Sequence, residues 1–173
     1  MHLLFVCTGN ICRSPTGERL ATALNAQDPI EGFWASSAGT RAVIGHPVHA
    51  EAARVLIELD GDPADFAARQ LKPAIATEAD LVLAMTREHR DAVLEIAPRQ
   101  LRRTFTLAEA AALINGFDPA DVGELASLRS QLRADQILDV PDPIGQGPEV
   151  FDRVGAQIAE LVAPIVEFCR RVS

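Results

Sequence analysis

Four short apolar runs alternate with longer amphipathic segments along this chain. The runs cover residues 3–6, 33–36, 81–84 and 102–105, each of a length typical of a buried strand. Segments with apolar residues at helical spacing separate most of them. Because strands that alternate with helices form parallel sheets covered on both faces, the pattern predicts an α/β protein.

Turn and capping residues mark the expected helix boundaries. The predicted helices cover residues 14–26, 47–59, 87–97 and 107–114, followed by a last helix that begins at about residue 147. Thr86 is expected to cap the third of these, and Thr106 with Glu109 forms the sequence of a capping box. Pro164 should kink or end the last helix.

The candidate chemistry lies between the first apolar run and the first helix. Cys7 would stand at the end of a strand, and Arg13 follows after five residues. Backbone N–H groups of this loop and the positive end of the next helix would converge on one point. Together with the guanidinium they would stabilise a thiolate and bind a phosphoryl group. The predicted phosphate-binding residues are Thr8, Gly9, Asn10, Ile11, Cys12 and Arg13. The loop predicts attack by the Cys7 sulfur on phosphorus.

The remaining residues of the loop suit a tight turn into a helix. Gly9 lets the backbone turn inward, and Asn10 tolerates a left-handed conformation. Ser14 is expected to cap the helix and to reach the sulfur, with Pro15 at the first helical position. The pattern Gly-x4-Gly-Lys-Ser/Thr of a nucleotide-binding P-loop is absent from the sequence.

Composition narrows the functional classes. A net charge of −8 argues against nucleic acid as a partner. No run of about 18 apolar residues predicts a membrane span, and without a recognisable leader we expect a cytoplasmic protein. Three cysteines do not make a disulfide framework, and Cys169 fits the apolar stripe of the last helix. No Cys/His cluster has the spacing of a structural zinc site.

With these motifs, the chain resembles the low-molecular-weight protein tyrosine phosphatases. The resemblance rests on residues 7–15, 37–40, 68–71, 79–86 and 142–143, which stand in the family's order and near its spacing. It implies a three-layer α/β/α fold of the phosphatase I type with a four-stranded parallel sheet. It also implies one domain over residues 1–173, with an insertion at about 115–139 and no cofactor or metal.

The resemblance also assigns roles. Asp142 would be the general acid and then the general base, and Asp139 is the second choice. Asn10, Ser14 and Ser37 would hold the loop. The family also suggests that Cys12 traps an oxidised Cys7 as a disulfide.

The segment 115–139 departs from the family. Its leucines at positions 125, 128 and 132 have helical spacing and predict a short helix. A solvated excursion is the favoured interpretation. A lid or docking element near the acid loop, residues 139–145, is the alternative.

The expected pocket mouth also departs from the family. The chain has no tyrosine, Ile144 follows the Asp-Pro pair, and residues 41–45 carry no aromatic side chain. We therefore expect an aliphatic mouth, with Trp34 in the core. Phe66 stands near the point where some members carry histidine. Ile11 stands where the similar protein-arginine phosphatases carry threonine.

The leading hypothesis is a metal-independent cysteine phosphatase that hydrolyses phosphotyrosine on proteins through a phosphocysteine. Cys7, Arg13 and Asp142 would carry the reaction, with a phosphorylated protein or a small phosphomonoester as the partner. Three alternatives stay open: a phosphate-binding regulatory module with little turnover, a protein-arginine phosphatase, and a redox switch of Cys7 and Cys12. The related arsenate reductases need more cysteines than Cys169 provides. We expect no nucleic acid or membrane partner, and the sequence leaves the oligomeric state open.

Overall fold

A computed structural model describes residues 1–133 and 138–173 of the 173-residue chain. In that part of the chain, four parallel strands form one sheet in the order β2-β1-β3-β4. They are β1 (His2–Cys7), β2 (Trp34–Gly39), β3 (Leu81–Ala84) and β4 (Thr104–Thr106). The parallel sheet confirms the prediction, but two strands are shifted along the chain. β2 begins at Trp34, after a turn in which the N–H of Phe33 donates to the carbonyl of Ile30. β4 begins at Thr104, after a 3₁₀ turn at Pro98–Gln100.

Seven α-helices connect and cover the strands in the described residues. They are α1 (Arg13–Gln27), α2 (Ala50–Glu58), α3 (Pro73–Glu78), α4 (Arg87–Ile96), α5 (Leu107–Phe117), α6 (Val122–Ser127) and α7 (Pro148–Val172). The predicted helices correspond to α1, α2, α4, α5 and α7. The sequence analysis did not predict α3, which has only six residues and therefore gives little periodic signal.

Helix ends test the capping predictions. Thr86 caps α4 by accepting the N–H of His89, and the capping box of Thr106 and Glu109 is present at the start of α5. Both predictions are confirmed. The prediction for α2 is wrong at its start, because His49 is the cap and the helix begins at residue 50. Pro164 lies inside α7, which continues to residue 172, so the proline does not end the helix.

The sheet is buried between helices on both faces. Leu3 and Phe5 of β1 face a core shared with α1, α5 and α7. Leu4 and Val6 alternate with them and face a second cluster that includes Val93 of α4. This alternation is the period-two pattern of a strand covered on both sides. The three-layer α/β/α prediction is confirmed.

The described part of the segment 115–139 packs onto the domain. Leu125 of α6 is fully buried in the same core as β1. The Arg129 guanidinium donates to the carbonyl of Thr104 at 2.7 Å and lies 4.2 Å from the ring centroid of Phe105. The predicted short helix is therefore α6, and the expectation of a solvated excursion is wrong here. Residues 134–137 lie outside the described part, and one domain with an insertion stays a prediction.

Two further expectations about the core have opposite outcomes. Cys169 is fully buried among the apolar residues of α7, as predicted. Trp34 is not in the core: it is half exposed and stacks on His2 with ring centroids 3.4 Å apart. It opens β2, an edge strand, which leaves one side of the indole without a neighbouring strand. No helix of the described chain is both long and apolar enough to span a bilayer.

Candidate active site

The candidate site lies at the carboxyl edge of the parallel sheet, where ligands of α/β folds usually bind. Cys7 ends β1, and Arg13 begins α1, so residues 8–12 form the whole connection. Gly39 at the end of β2 stands opposite Cys7 in the strand register. The chain leaves β3 through Met85, whose N–H donates to the carbonyl of Val6.

The sulfur of Cys7 is buried and hydrogen-bonds to the loop and to the first turn of α1. Ser14 Oγ lies 2.9 Å from Sγ, and the N–H of Asn10 donates to Sγ at 3.3 Å. Asn10 has a φ of 56°, the left-handed conformation that the sequence analysis expected of it. Donors aimed at sulfur stabilise a thiolate over a thiol.

The Asn10 side chain fixes the direction of these bonds. Its Oδ1 accepts the N–H of Arg69 at 2.8 Å, so its Nδ2 must be the atom that faces the two serines. Nδ2 donates to Ser14 Oγ at 2.9 Å and to Ser37 Oγ at 2.8 Å. Because Ser14 Oγ accepts from Asn10, its own hydrogen is left to donate to the sulfur. The network brings the predicted supporting residues Asn10, Ser14 and Ser37 together.

Glu18 completes this network and was missed by the sequence analysis. It lies on α1, and its Oε2 accepts the hydroxyl of Ser37 at 2.6 Å. Burial raises the pKa of Glu18, against the opposing effect of the Ser37 hydrogen bond. Arg69 Nε donates to the carbonyl of Ser37 at 2.8 Å. Glu18 lies one helical turn after Ser14 on α1. This spacing is the one signal in the sequence that places it near the loop.

The backbone of the loop has the character of an anion site. In residues 1–133 and 138–173, the N–H groups of Gly9, Ile11 and Cys12 donate no hydrogen bond. Helix α1 begins directly after them, and it brings the positive end of its dipole to the same place. Its cap position is Cys12, not Ser14 as predicted, and Pro15 is the third helical residue rather than the first. Proline still fits, because the first N–H groups of a helix have no partner within it.

Arg13 is buried and bonds to the loop that carries Asp142. Its Nη2 donates to Asp142 Oδ2 at 2.8 Å, and its Nη1 donates to the carbonyl of Val140 at 3.0 Å. Val140 is itself buried, and its N–H donates to the carbonyl of Met85 at 2.9 Å. Asp139 points elsewhere and accepts the N–H of Arg87 at 2.9 Å. Of the two candidate carboxylates, Asp142 is the one in contact with Arg13.

Cys12 has an apolar environment. Its side chain packs with Val48, Ala52, Val55 and Phe151. Burial, and then the proximity of Cys7, raise the pKa of Cys12 to about 12, so it is a neutral thiol. Both loop cysteines are free.

A second residue that the sequence analysis missed is His89, in the first turn of α4. The ring is buried, with Nε2 2.8 Å from Thr8 Oγ1 and Nδ1 2.9 Å from Thr86 Oγ1. Burial, and then the Arg13 charge, lower the pKa of His89 to about 4. Its position in the first turn of the helix that follows β3, at the edge of the sheet that carries the site, is a signal that the sequence contained.

The exposed apolar side chains next to the loop are aliphatic. Val43 and Ile44 follow β2, and the N–H of Val43 donates to the carbonyl of Gly9. Ile144 is exposed two residues after Asp142. Phe66 packs, partly buried, against the cluster around Cys12. Within the described chain, no group of three or more His, Cys, Asp or Glu side chains could hold a metal ion.

Comparison with known proteins connects this geometry to a family. The model of the family described as low molecular weight phosphotyrosine protein phosphatase matches residues 2–121. The Escherichia coli K12 low molecular weight protein-tyrosine-phosphatase Etp is 38% identical over 107 residues, which are 62% of this chain and 69% of Etp. The protein-arginine-phosphatase of Geobacillus stearothermophilus is 32% identical over 166 residues, 96% of this chain and 94% of that protein.

Solved structures agree with this result. The low molecular weight protein tyrosine phosphatase of T. tengcongensis has a TM-score of 0.78 at 31% identity, and the match covers 96% of this chain and 98% of that one. Vibrio vulnificus Wzb in complex with benzylphosphonate has a TM-score of 0.74 at 29% identity, with 96% and 97% covered. Fold and loop together define a cysteine-based phosphatase. The chain belongs to the low molecular weight phosphotyrosine protein phosphatase family.

Proposed function

We propose that this protein hydrolyses phosphotyrosine on other proteins through a phosphocysteine intermediate. The observation that carries the proposal is the Cys7 sulfur, held by two donors at the base of a loop whose other N–H groups are free to bind an anion. Membership of the family supports the same chemistry. The proposed site residues are Cys7, Arg13 and Asp142, with the loop 8–13 as the phosphate cradle.

The first step transfers the phosphoryl group to sulfur. The Cys7 thiolate attacks phosphorus, the S–P bond forms, and the bond from phosphorus to the tyrosyl oxygen breaks. Arg13 and the loop N–H groups bind the non-bridging oxygens, where charge must be stabilised. Protonated Asp142 gives its proton to the departing oxygen.

The second step regenerates the enzyme. Asp142, now a carboxylate, removes a proton from a water that attacks the phosphorus of the phosphocysteine. The S–P bond breaks, and the sulfur leaves as a thiolate stabilised by Ser14 and Asn10. Inorganic phosphate departs, and neither step requires a metal or cofactor.

Hydrolysis of para-nitrophenyl phosphate in EDTA tests the proposal. The wild type should turn over, and Cys7→Ser should be inactive, because serine is a far weaker nucleophile at neutral pH. Cys169→Ala is the matched control, since Cys169 is also a buried free thiol but lies on α7, outside the loop. Turnover that is well above background in the wild type and equally fast in Cys7→Ser would overturn the mechanism. No turnover above background in either protein would instead favour a phosphate-binding module with little turnover.

A second candidate substrate is phosphoarginine on proteins. The relative named protein-arginine-phosphatase spans 96% of this chain, more than the 62% spanned by Etp. The protein-arginine phosphatases carry threonine at the position of Ile11, and this difference argues against phosphoarginine as the substrate. Rates on phosphotyrosine, phosphoarginine and phosphoserine peptides decide between them: we expect phosphotyrosine to be fastest, and a faster phosphoarginine would reassign the substrate.

We also propose a cytoplasmic role in signalling. Cys7, Cys12 and Cys169 are free thiols, and the reaction requires a reduced Cys7. Fractionation of cells that express the protein with a small tag is the test, and recovery with extracytoplasmic proteins would contradict the proposal.

A further inference from the structure

His89 connects the phosphate loop to the end of β3. It is 5% exposed, and each ring nitrogen lies beside a threonine hydroxyl. Nε2 is 2.8 Å from Oγ1 of Thr8, the residue directly after Cys7, and Nδ1 is 2.9 Å from Oγ1 of Thr86. A buried histidine bonded at both nitrogens has a fixed orientation, and therefore fixes its partners.

The cap of α4 is compatible with one tautomer in particular. Thr86 Oγ1 accepts the backbone N–H of His89 at 3.2 Å, and its hydroxyl hydrogen is available to donate to Nδ1. In that neutral tautomer the proton is on Nε2, which donates it to Thr8 Oγ1. Thr8 then keeps its own hydroxyl hydrogen. Within residues 1–133 and 138–173, His89 is the one hydrogen-bond partner of the Thr8 side chain.

The charges around the ring favour this neutral form. Arg13 of α1 and Arg41 after β2 face His89 with positive charge, and Asp139 and Asp142 of the acid loop face it with negative charge. Burial and Arg13 dominate, so the ring carries no charge at neutral pH.

We propose that His89 is a positioning residue, which holds the Thr8 hydroxyl as an additional hydrogen-bond donor to the bound phosphoryl group. The inference rests on the proposed function, because it adds a side-chain donor to the same cradle. The donor would act on a charged oxygen, and hydrogen bonds to charged groups are the stronger kind. Its loss should weaken phosphate binding about tenfold.

Binding of inorganic phosphate to the Cys7→Ser background, measured by calorimetry, tests this without any need for turnover. Thr8→Val and His89→Leu should each raise the dissociation constant about tenfold. The double variant should bind no more weakly than either single variant, because both remove the same donor. Thr8→Ser and His89→Gln keep a hydroxyl and an N–H donor, and should stay within about threefold of the parent.

A control separates positioning from general destabilisation. His2 is also a buried histidine, bonded to Ser36 Oγ at 2.7 Å, but it begins β1 and so lies at the opposite edge of the sheet. His2→Gln should leave phosphate binding unchanged. Thr8→Val keeps shape and stays informative even if His89→Leu fails to fold. Nitrogen-15 chemical shifts of His89 should show the proton on Nε2.

The outcomes separate the two proposals. If the parent binds no phosphate, the proposed function itself fails. If the parent binds phosphate and Thr8→Val binds it equally well, the positioning role alone is overturned. Effects of the two single variants that multiply in the double variant would also overturn it, because they would then act independently.

Discussion

Arg13 and Asp142 form an ion pair, with Nη2 of the arginine 2.8 Å from Oδ2 of the carboxylate. The two residues have separate tasks in the proposed reaction, since one binds phosphate and the other carries a proton. Arg13 is almost fully buried, whereas the Asp142 side chain is half exposed. Phosphate must therefore compete with a carboxylate that already neutralises the guanidinium, and the carboxylate is free to swing toward the departing oxygen.

Removal of the Asp142 charge should affect binding and turnover in opposite directions. Asp142→Asn should lower kcat for an alkyl phosphate by about 10²- to 10⁴-fold, because the alkoxide must leave without a proton. The kcat for para-nitrophenyl phosphate should fall far less. Phosphate should bind a few-fold more tightly, since exposed pairs contribute only about 0–1 kcal/mol. Steady-state kinetics with both substrates and a phosphate inhibition constant provide the measurements.

Asp139→Asn is the matched control on the same loop, where the carboxylate contacts the backbone of Arg87 rather than Arg13. Its dependence on the leaving group should resemble that of the wild type. Equal slowing of Asp142→Asn for good and poor leaving groups would remove the acid role from Asp142. If Asp139→Asn instead slows poor leaving groups more than good ones, the acid role belongs to Asp139.

Asn10 should stabilise the loop through both its backbone and its side chain. Asn10→Ala should lower the free energy of unfolding by roughly 2–4 kcal/mol, because it loses three side-chain hydrogen bonds and strains a left-handed residue. Asn10→Gly should recover about 1 kcal/mol of this, since glycine adopts positive φ freely. Urea unfolding of both variants is the measurement. Equal losses would mean that the backbone contributes nothing.

Gly39 should be required for the shape of the phosphate loop. A Cβ at this position would lie 2.4 Å from the carbonyl oxygen of Thr8, so Gly39→Ala must displace the loop backbone. We expect kcat/KM to fall at least tenfold, with a destabilisation of about 1–3 kcal/mol. Gly116→Ala in α5 meets no atom within 4 Å and should be fully active and slightly more stable. Full activity in Gly39→Ala would show that the position of the Thr8 carbonyl is unimportant.

His89 should make the fold sensitive to mild acid. Its pKa is about 4 in the folded protein and 6.5 in an unfolded chain. The unfolded chain therefore binds more protons in that window, and stability falls as pH drops from about 6.5 to 4, by roughly 2–3 kcal/mol. Urea unfolding at pH 7 and pH 4 should show this loss in the wild type and not in His89→Gln. Burial also lowers the pKa of His2, but His2 is common to both proteins and cancels. Equal losses would contradict the assignment.

The loop could be predicted from sequence because its parts are neighbours in the chain. Cys7, Asn10, Arg13 and Ser14 lie within one turn between a strand and a helix, so local rules of strand end, left-handed residue and helix start place them together. The sheet could be predicted for a similar reason, since apolar runs and helical spacing are local signals.

The missed residues depend on contacts between distant parts of the chain. His89 is 81 positions from Thr8, and nothing local to either residue indicates the pairing. Pro164 shows the opposite effect, in which packing overrides a local rule. Ile158, Val162 and Ile165 of α7 are fully buried, so the core holds the helix together through the proline. Trp34 is exposed at the start of β2, which is an edge strand. The sequence could not predict this, because it does not show the order of the strands in the sheet.

Two backbone hydrogen bonds of Val140 anchor the acid loop. The N–H of Val140 donates to the carbonyl of Met85, directly after β3, and the carbonyl of Val140 accepts from the guanidinium of Arg13. The loop is therefore anchored two residues before Asp142 by the central sheet itself. Most of the backbone entropy of placing Asp142 is lost when the chain folds, and little remains to be lost when a substrate arrives. If Asp142 is the acid, as proposed, only its side chain has to move for proton transfer.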